Sequence, residues 1–310
     1  MNGARLLLDG LFDYAGLFPP SSLPLPVIVE RYAEYRASAD AWMLGRLVVP
    51  VGRLADLESL VAARPHPDGA AAWPLSVLGS GSVEDDRQAL AEFASGTAVR
   101  EERLRVESVD VRVASRLEAR RALALARDGW TVYCEPVGPE GDLDAILDAT
   151  AIGGMRSKLR CGGPSADQMP TAVCVAQRLA GCVQRGISLK ATAGLHHAVA
   201  GSYPMSDTDG GAPIPMHGYL NLLVAAGVAE AAGAAAVRAP EVVAALARIL
   251  TLTSRPVLTP TGVLTWHDGP GPLTEGPLHD IAPSARALVR GIGTCSFDTP
   301  RADARSLDLA

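Results

Sequence analysis

Short apolar runs rich in Val, Leu and Ile alternate along the chain with longer amphipathic segments. This alternation is typical of repeated βα units built around a parallel sheet. The apolar runs predict strands over residues 5–8, 46–50, 73–78, 104–113, 131–137, 155–160, 187–193 and 287–297.

The amphipathic segments between these runs have the periodicity of helices. They predict helices over residues 26–37, 54–63, 83–94, 117–126, 143–149, 170–182, 219–232 and 240–250. Ser82 directly precedes an acidic first turn and is therefore the predicted N-cap of the third helix.

Eight strands with intervening helices in 310 residues predict an α/β fold, a single (β/α)8 TIM-type barrel that spans residues 1–310. Long loops are expected over residues 198–216, after the seventh strand, and 259–277, before the eighth. Loops of this length often serve as lids or subunit contacts, and they are compatible with a homo-oligomer. A doubly wound open sheet is the alternative fold, but no dinucleotide-type Gly-rich turn follows the first predicted strand.

Composition and charge point to a small ligand. The chain is 48% hydrophobic and 20% charged, and its formal net charge is −6 without any basic run. These features argue against nucleic acid or an anionic membrane as the main partner. We therefore expect the partner to be a small-molecule substrate.

The expected compartment is the cytoplasm. The first apolar run is too short for the core of a signal peptide, and we expect no apolar stretch of membrane-spanning length. The five cysteines are odd in number and form no C-x-x-C pair, which favours neither a disulfide framework nor a structural zinc site.

Lysine is scarce in this chain. Of 28 lysine and arginine residues only Lys158 and Lys190 are lysine, so ordinary surface charge is carried by arginine. Arginine stays protonated near neutral pH, whereas a buried or cation-flanked lysine amine can become a neutral nucleophile or base. The two lysines are therefore candidate catalytic residues, although a buried structural ion pair would also explain them.

Both lysines fall near the carboxyl ends of consecutive strands, where barrel active sites form. Two ammonium groups in a partly desolvated barrel mouth repel each other, and deprotonation of one relieves the repulsion. A neutral amine can attack an aldehyde or ketone to give a Schiff base, which permits carbon–carbon cleavage or formation. We assign Lys190 as the nucleophile and Lys158 as the charge that lowers its pKa.

Other candidate residues surround the lysines. Glu135 and His196 are candidate proton-transfer groups, and Arg160 with Gly162 and Gly163 suits a carboxylate or phosphate. Further substrate-binding candidates are Thr192, His197, His217, Asn221, Asp9 and Arg46.

Three alternatives stay open. The lysine pair could do acid–base work without a covalent intermediate, as in an isomerase, epimerase or cyclase. A metal-dependent hydrolase or lyase could use His196, His197 and His217 with Glu135, but no metal-binding spacing such as H-E-x-x-H supports it. A non-catalytic barrel is the third alternative. The favoured Schiff-base chemistry uses the lysine itself, so we expect neither a metal nor a cofactor.

The segment from Lys190 to Leu195, KATAGL, resembles the strand-end motif of deoxyribose-phosphate aldolases and related class I aldolases, Lys-x-Ser/Thr-x-Gly. The resemblance implies a Schiff-base lysine with a second lysine on an adjacent strand, although the order of the two motifs is swapped and Arg160 and the paired histidines are departures. More broadly, FDYAGLFPP, KLRCGG, KATAGLHH, HGYLNLL and CSFDTP together resemble an uncharacterised family of bacterial barrel proteins, which brings no activity with it.

Overall fold

A computed structural model describes residues 3–65, 69–137, 142–163, 165, 168–204, 213–258, 263–267 and 272–310. Its strands are β1 (Phe12–Tyr14), β2 (Leu44–Pro50), β3 (Trp73–Leu78), β4 (Leu104–Val113), β5 (Val132–Pro136), β6 (Arg156–Arg160), β7 (Leu189–Thr192), β8 (Gly201–Tyr203), β9 (Ile214–Met216), β10 (Val257–Leu258), β11 (Val263–His267), β12 (Pro272–Pro277) and β13 (Val289–Thr294). Its helices are α1 (Gly3–Leu8), α2 (Leu25–Ala37), α3 (Leu54–Ala62), α4 (Val83–Ala94), α5 (Thr97–Arg100), α6 (Arg116–Arg127), α7 (Leu143–Ile152), α8 (Ala172–Gln184), α9 (Tyr219–Ala236), α10 (Pro240–Leu250), α11 (Leu278–Leu288) and α12 (Asp298–Ser306).

Eight of these strands close into a barrel. Strands β1 to β7 follow one another around it, and β13 pairs in parallel with both β7 and β1. The closing contact joins strands from opposite ends of the chain, with Phe12 beside Ile292. The predicted (β/α)8 TIM-type barrel is therefore confirmed.

Several helices begin where their side chains predict. The Ser82 hydroxyl accepts a hydrogen bond from the Asp85 amide, which confirms the predicted N-cap of α4. Thr171 caps α8 in the same way. Because such caps satisfy amide groups that have no partner inside the helix, they fix the point at which each helix leaves its preceding loop.

The first predicted strand is wrong. Residues 5–8 belong to helix α1, which packs against α11. The side chains of Ala4, Leu7 and Leu8 in this helix are buried. The first barrel strand is instead β1, the segment FDY. A short apolar run has no periodicity that separates a strand from a buried helix, so the sequence pattern could not decide between them.

The two predicted long loops carry strands of their own. The segment after β7 contains the antiparallel hairpin of β8 and β9, and the segment before β13 contains the antiparallel sheet β10-β11-β12. Parts of both predicted loops, residues 205–212, 259–262 and 268–271, lie outside the described residues.

Helix α9 corrects one expectation from the sequence. It has 18 residues and is long and apolar enough to cross a membrane by length and composition, so a stretch of spanning length does exist among the described residues. In the fold this helix packs against α8, α10 and α11, and its first half is buried. A buried core helix passes the same test as a spanning one.

Candidate active site at the carboxyl ends of the barrel strands

A cavity of about 350 Å³ opens at the carboxyl ends of the barrel strands. Ionisable side chains project into it from five different strands: Asp13, Asp110, Glu135, Lys158 and Lys190. All five are buried. Because buried charges are unfavourable unless they are paired, their arrangement decides the chemistry that the cavity can support.

Strand β4 shows how the sequence places polar side chains in the cavity. Side chains alternate between the two faces of a strand, so Ser108, Asp110 and Arg112 share one face while Val109 and Val111 face the other way. Asp110 is buried in the barrel and Arg112 lies exposed at its rim. The strand therefore carries polar groups from the interior to the opening.

The two lysines meet as predicted. Lys158 and Lys190 are direct neighbours across β6 and β7, and their side chains are 8% and 4% exposed. Asp110 lies between the amines: its Oδ2 is 3.1 Å from Lys158 Nζ and its Oδ1 is 2.7 Å from Lys190 Nζ. The repulsion expected between the two amines is thus relieved in part by a shared carboxylate.

The pKa values of the two lysines are displaced in opposite directions. Burial lowers the pKa of Lys190, and although Asp110 and Asp13 act against this, the net pKa stays below the ordinary value. Burial also acts to lower the pKa of Lys158, but Asp110 and Glu135 outweigh it and the net pKa is raised. Lys190 is therefore the amine that loses its proton more readily, and Lys158 stays charged beside it.

The shared carboxylates stay ionised. Burial alone would raise the pKa of Asp110, but the ammonium groups of Lys190 and Lys158 hold it below its usual value. The same holds for Glu135, where burial is outweighed by Lys158 and Arg160. These carboxylates are thus available as hydrogen-bond acceptors and bases at neutral pH.

Lys190 is also held by polar groups that the sequence reasoning missed. Its Nζ donates hydrogen bonds to Ser76 Oγ at 2.6 Å and Ser108 Oγ at 3.3 Å. It lies 4.5 Å from the centre of the Tyr133 ring and 3.8 Å from Asp13 Oδ2. These contacts fix the position of the amine at the base of the cavity.

Arg160 and Glu135 form a pair at the rim. Arg160 Nε donates a hydrogen bond of 2.9 Å to Glu135 Oε1, while the Arg160 side chain stays 39% exposed. Glu135 Oε2 lies 3.3 Å from Lys158 Nζ. Arg112, on the other side of Glu135 in β4, also lines the cavity. Arg160 and Arg112 are thus within reach of an anion that enters from solvent.

His196 lines the cavity on the side of β7 and β13. Its ring lies against Cys295, with 3.7 Å between Nδ1 and Sγ. Thr192 and Gly163, two predicted substrate-binding residues, line the same cavity. The structure therefore brings these three residues to the lysine pair, as the sequence predicted.

Gly162 has a structural task. A Cβ atom at this position would lie 2.8 Å from the Gly194 Cα, so the turns after β6 and β7 touch through their backbones. Ala193 and Gly194 both have positive φ, 64° and 70°. For alanine this backbone conformation is strained, and such strain is often found at functional sites.

Two predicted substrate-binding residues lie away from the cavity. Asp9 is exposed and precedes β1, at the opposite end of the strand from the opening. Its placement in the site rested on the wrong first strand. Arg46 lies in the first half of β2, before the strand reaches the cavity. Its amide donates a 2.8 Å hydrogen bond to Asp13 Oδ1, and its Nε lies 3.0 Å from Glu107 Oε2.

The remaining predicted residues hold the fold together. His197 contacts Asp303 Oδ2 at 3.2 Å and stacks on Tyr203. The ring nitrogens of His217 face the carbonyls of Pro170 and Leu250 at 2.9 and 3.3 Å. His196, His197 and His217 thus have separate partners, and no group of three or more His, Cys, Asp or Glu side chains that could hold a metal ion is found among the described residues.

Asn221 is a structural residue as well. It is fully buried, its Nδ2 donates to the carbonyls of Ile249 and Leu252, and its Oδ1 accepts from the Ala200 amide. All three bonds connect α9 to neighbouring segments, so the side chain has no capacity left for a substrate oxygen.

Asp110 is the main residue that sequence reasoning missed. The signal was present: β4 reads VESVDVRV, and a charged residue between valines in a strand predicted to be buried needs a partner. The position of Asp13 beside Lys190 was not anticipated either.

Comparison of the chain with models of protein families, with curated proteins and with solved structures finds no match. The fold and the cavity are therefore the basis for a functional assignment. A (β/α)8 barrel with ionisable groups at the carboxyl ends of its strands is an architecture that commonly carries enzymatic activity.

Proposed function

We propose that the protein is an enzyme that acts on a small anionic carbonyl compound as a class I aldolase-type lyase, with a Schiff base on Lys190. The observation that carries this proposal is the buried Lys190 amine, which has a lowered pKa and lies beside the charged Lys158 at the base of the cavity. A desolvated lysine next to a second cation is a recognised way to obtain a neutral nucleophilic amine. The resemblance of the Lys190 segment to class I aldolases supports the same chemistry.

The proposed reaction begins with attack of the neutral Lys190 amine on the substrate carbonyl carbon. Loss of water from the resulting carbinolamine gives an iminium ion. A base then removes the proton of the substrate's β-hydroxyl group, the adjacent carbon–carbon bond breaks, and its electron pair moves to the iminium nitrogen to form an enamine. Protonation of the enamine carbon and hydrolysis release the second product and return the amine.

Two groups are suited to the proton transfers, and a third balances the charges of the lysines. Asp110 contacts both amines, so it can stabilise the ammonium of Lys158 while Lys190 changes its charge. Glu135 is ionised and lines the cavity, and His196 lines it on the side of β7 and β13. We assign Glu135 and His196 as the proton-transfer groups and Arg160 as the anchor for the substrate anion.

Reductive trapping tests this proposal with unusual selectivity, because the chain contains only two lysines. The protein is incubated with a panel of oxo-acids and phosphorylated aldehydes, reduced with cyanoborohydride, and mapped by peptide mass spectrometry. We expect an adduct on Lys190 that is lost in Lys190→Arg and formed more slowly in Lys158→Arg. An adduct confined to Lys158 or to the chain's amino terminus would contradict the assignment.

A second candidate is an isomerase, epimerase or cyclase that uses the same lysines for acid–base chemistry. It is favoured by the ion pairs that hold both amines, because a paired ammonium can donate a proton without becoming a nucleophile. This candidate predicts no adduct with any carbonyl compound, together with exchange of substrate α-protons for solvent deuterium that depends on Lys158 or Lys190.

A further inference from the structure

The wall of the cavity is divided into two arcs of the barrel. One arc is formed by β1, β2, β3 and the segment after β1. Asp13 lies at its base beside Lys190, and the rest of its lining is apolar: Ala15, Phe18, Pro19, Pro20, Val48 and Leu78. These residues come from strands that are neighbours in the barrel, so they form one continuous surface.

The opposite arc, formed by β4 to β7, carries the other charges. Asp110 and the lysines lie at its base, and Arg112 and Arg160 lie at its rim. The amine of Lys190 contacts Ser76 and Asp13 at the base of the first arc, and the apolar residues of that arc lie nearer the carboxyl ends of the strands. A bound molecule that reaches from one arc to the other must have a polar side and an apolar side.

The balance of charge on the polar arc indicates which anion it suits. At the rim, the guanidinium groups of Arg112 and Arg160 flank the single carboxylate of Glu135. Below them, Lys158 is balanced by Asp110. The rim therefore presents about one uncompensated positive charge, which matches a carboxylate better than a phosphate dianion.

We propose that the substrate is an oxo-acid with one carboxylate and an apolar branched or aromatic group, rather than a polyhydroxylated sugar phosphate. This inference rests on the proposed function, because it assumes that the carbonyl carbon reaches Lys190. The carboxylate contacts Arg160 and Arg112, and the apolar group lies against Val48, Leu78 and Phe18.

Two physical arguments support the apolar group. Hydroxyl groups placed against Phe18, Val48 and Leu78, above Asp13, would lose their hydrogen bonds to water without gaining a side-chain partner there, whereas an apolar group gains by leaving water. The cavity volume of about 350 Å³ is at the lower end of ordinary ligand pockets, so it suits one ring or one branched chain.

The test compares 4-methyl-2-oxopentanoate with pyruvate and with glyceraldehyde 3-phosphate in the reductive trapping assay, read by intact mass over a concentration series. We expect half-maximal labelling of Lys190 at a concentration at least about tenfold lower for 4-methyl-2-oxopentanoate than for pyruvate, since even one methylene group in an apolar pocket can contribute a factor of this size. Equal labelling by pyruvate, or preferred labelling by the phosphorylated aldehyde, would overturn the inference and leave the proposed function standing.

The variant Val48→Thr places a hydroxyl in the apolar arc at nearly constant volume, and it should reduce the preference for 4-methyl-2-oxopentanoate. Val173→Thr is the matched control, because Val173 is an exposed residue of α8 and does not line this cavity. An unchanged preference in Val48→Thr would count against the apolar arc as the determinant.

A non-reacting analogue separates the two proposals. 4-Methylpentanoate has the carboxylate and the apolar group but no ketone, and we expect it to raise the melting temperature more than acetate does. Stabilisation by the analogue without any lysine adduct would retain the binding inference and reject the Schiff base. If 4-methylpentanoate has no such effect and no compound gives an adduct, both proposals fail.

Discussion

Burial favours the neutral form of Lys190, and its charged neighbours set how far that preference extends. The carboxylates of Asp110 and Asp13 favour the ammonium, while Lys158 disfavours it. Because these effects oppose each other across distances of about 3–4 Å, substitution of one neighbour changes the pKa of Lys190 in a direction that its charge predicts.

The pH dependence of reductive trapping tests this balance. Asp110→Asn removes a carboxylate that favours the ammonium, so the rise in trapping rate with pH should shift to lower pH. Lys158→Met removes a cation that disfavours it, so the rise should shift to higher pH. The two shifts are measured from pH–rate profiles of Lys190 labelling, and shifts in the same direction would refute the electrostatic account.

At the scale of single residues, composition was the informative signal. The scarcity of lysine identified Lys158 and Lys190, and the structure brings them together. The carboxylate between them, Asp110, was not identified because aspartate is common in the chain and its inward direction depends on the barrel. Asn221 and His217 were assigned to the site since polar residues near a motif look functional, but backbone carbonyls and amides take up their hydrogen bonds.

The structural role of Asn221 gives a second prediction. Asn221→Ala should destabilise the protein by about 3 kcal/mol, because the Ala200 amide and the carbonyls of Ile249 and Leu252 lose their hydrogen bonds to the buried Asn221 side chain. Denaturant unfolding measures the loss. Labelling of Lys190 under native conditions should be retained, and loss of labelling in a variant of unchanged stability would instead restore Asn221 to the site.

Between elements, the turns after β6 and β7 make a close backbone contact near the site. A Cβ atom at Gly194 would lie 2.8 Å from the Cys161 carbonyl oxygen, in addition to the strain of positive φ. The contact holds together the two strands that carry the lysines. The spacing between the amines therefore depends on these turns as well as on the sheet hydrogen bonds.

Two glycine-to-alanine variants separate strain from contact. Gly186 follows α8 with φ +64° and open space around its Cβ position, so Gly186→Ala should cost about 1 kcal/mol from φ alone. Gly194→Ala should cost about 2–4 kcal/mol, since the clash with Cys161 adds to the same strain. Equilibrium unfolding compares the two, and equal costs would show that the turns can separate without penalty.

At this scale the sequence pattern found most barrel strands but not the first. Strands β2 to β7 and β13 lie within or close to the predicted ranges, because their regular alternation with helical segments marks them even where polar residues interrupt the run, as in RSKLR of β6. Strand β1 has three residues with Asp13 at its centre, so it shows no apolar run at all. The hairpin of β8 and β9 and the sheet β10-β11-β12 are built from short segments that carry little pattern.

For the whole molecule, the barrel closes only when residues near positions 12 and 292 pair. The eight-fold repetition of strand and helix predicted the barrel, but the sequence could not show which faces of the strands point inward. Which side chains point into the barrel depends on strand register and on closure, and both are properties of the assembled sheet. This is why the lysines and Glu135 could be predicted at one site, while Asp110 between the lysines and the place of Asp13 beside Lys190 could not.

The buried charges make the stability of the whole protein depend on pH. Asp110 and Glu135 have lowered pKa values in the folded state, so their stabilising effect is present above their ordinary pKa values, 3.8 and 4.5. It is lost as the pH falls through the lowered values. Unfolding free energies measured by denaturant titration should therefore decrease steeply below about pH 4.

A pair of variants tests which charges cause this decrease in unfolding free energy at low pH. Lys158→Met should make the decrease shallower, because the carboxylates lose the cation that lowers their pKa values. Arg87→Met breaks the exposed ion pair of Arg87 with Asp128. It should change the decrease at low pH much less, since solvent screens exposed charges. An identical change in both variants would show that surface charges, not the buried carboxylates, cause the decrease at low pH.

The shared carboxylates also constrain how this chain can change in evolution. Asp110 serves both lysines, and Glu135 serves Lys158 and Arg160, so a single substitution alters two ion pairs at once. Effects of substitutions in such a connected set are not additive. A lineage that replaces Lys158 therefore passes through an intermediate with an unbalanced buried charge unless a neighbouring strand changes with it. Residues on β4, β5 and β6 are expected to vary together or not at all, and a change of substrate is reached more readily through the apolar arc of β1 to β3.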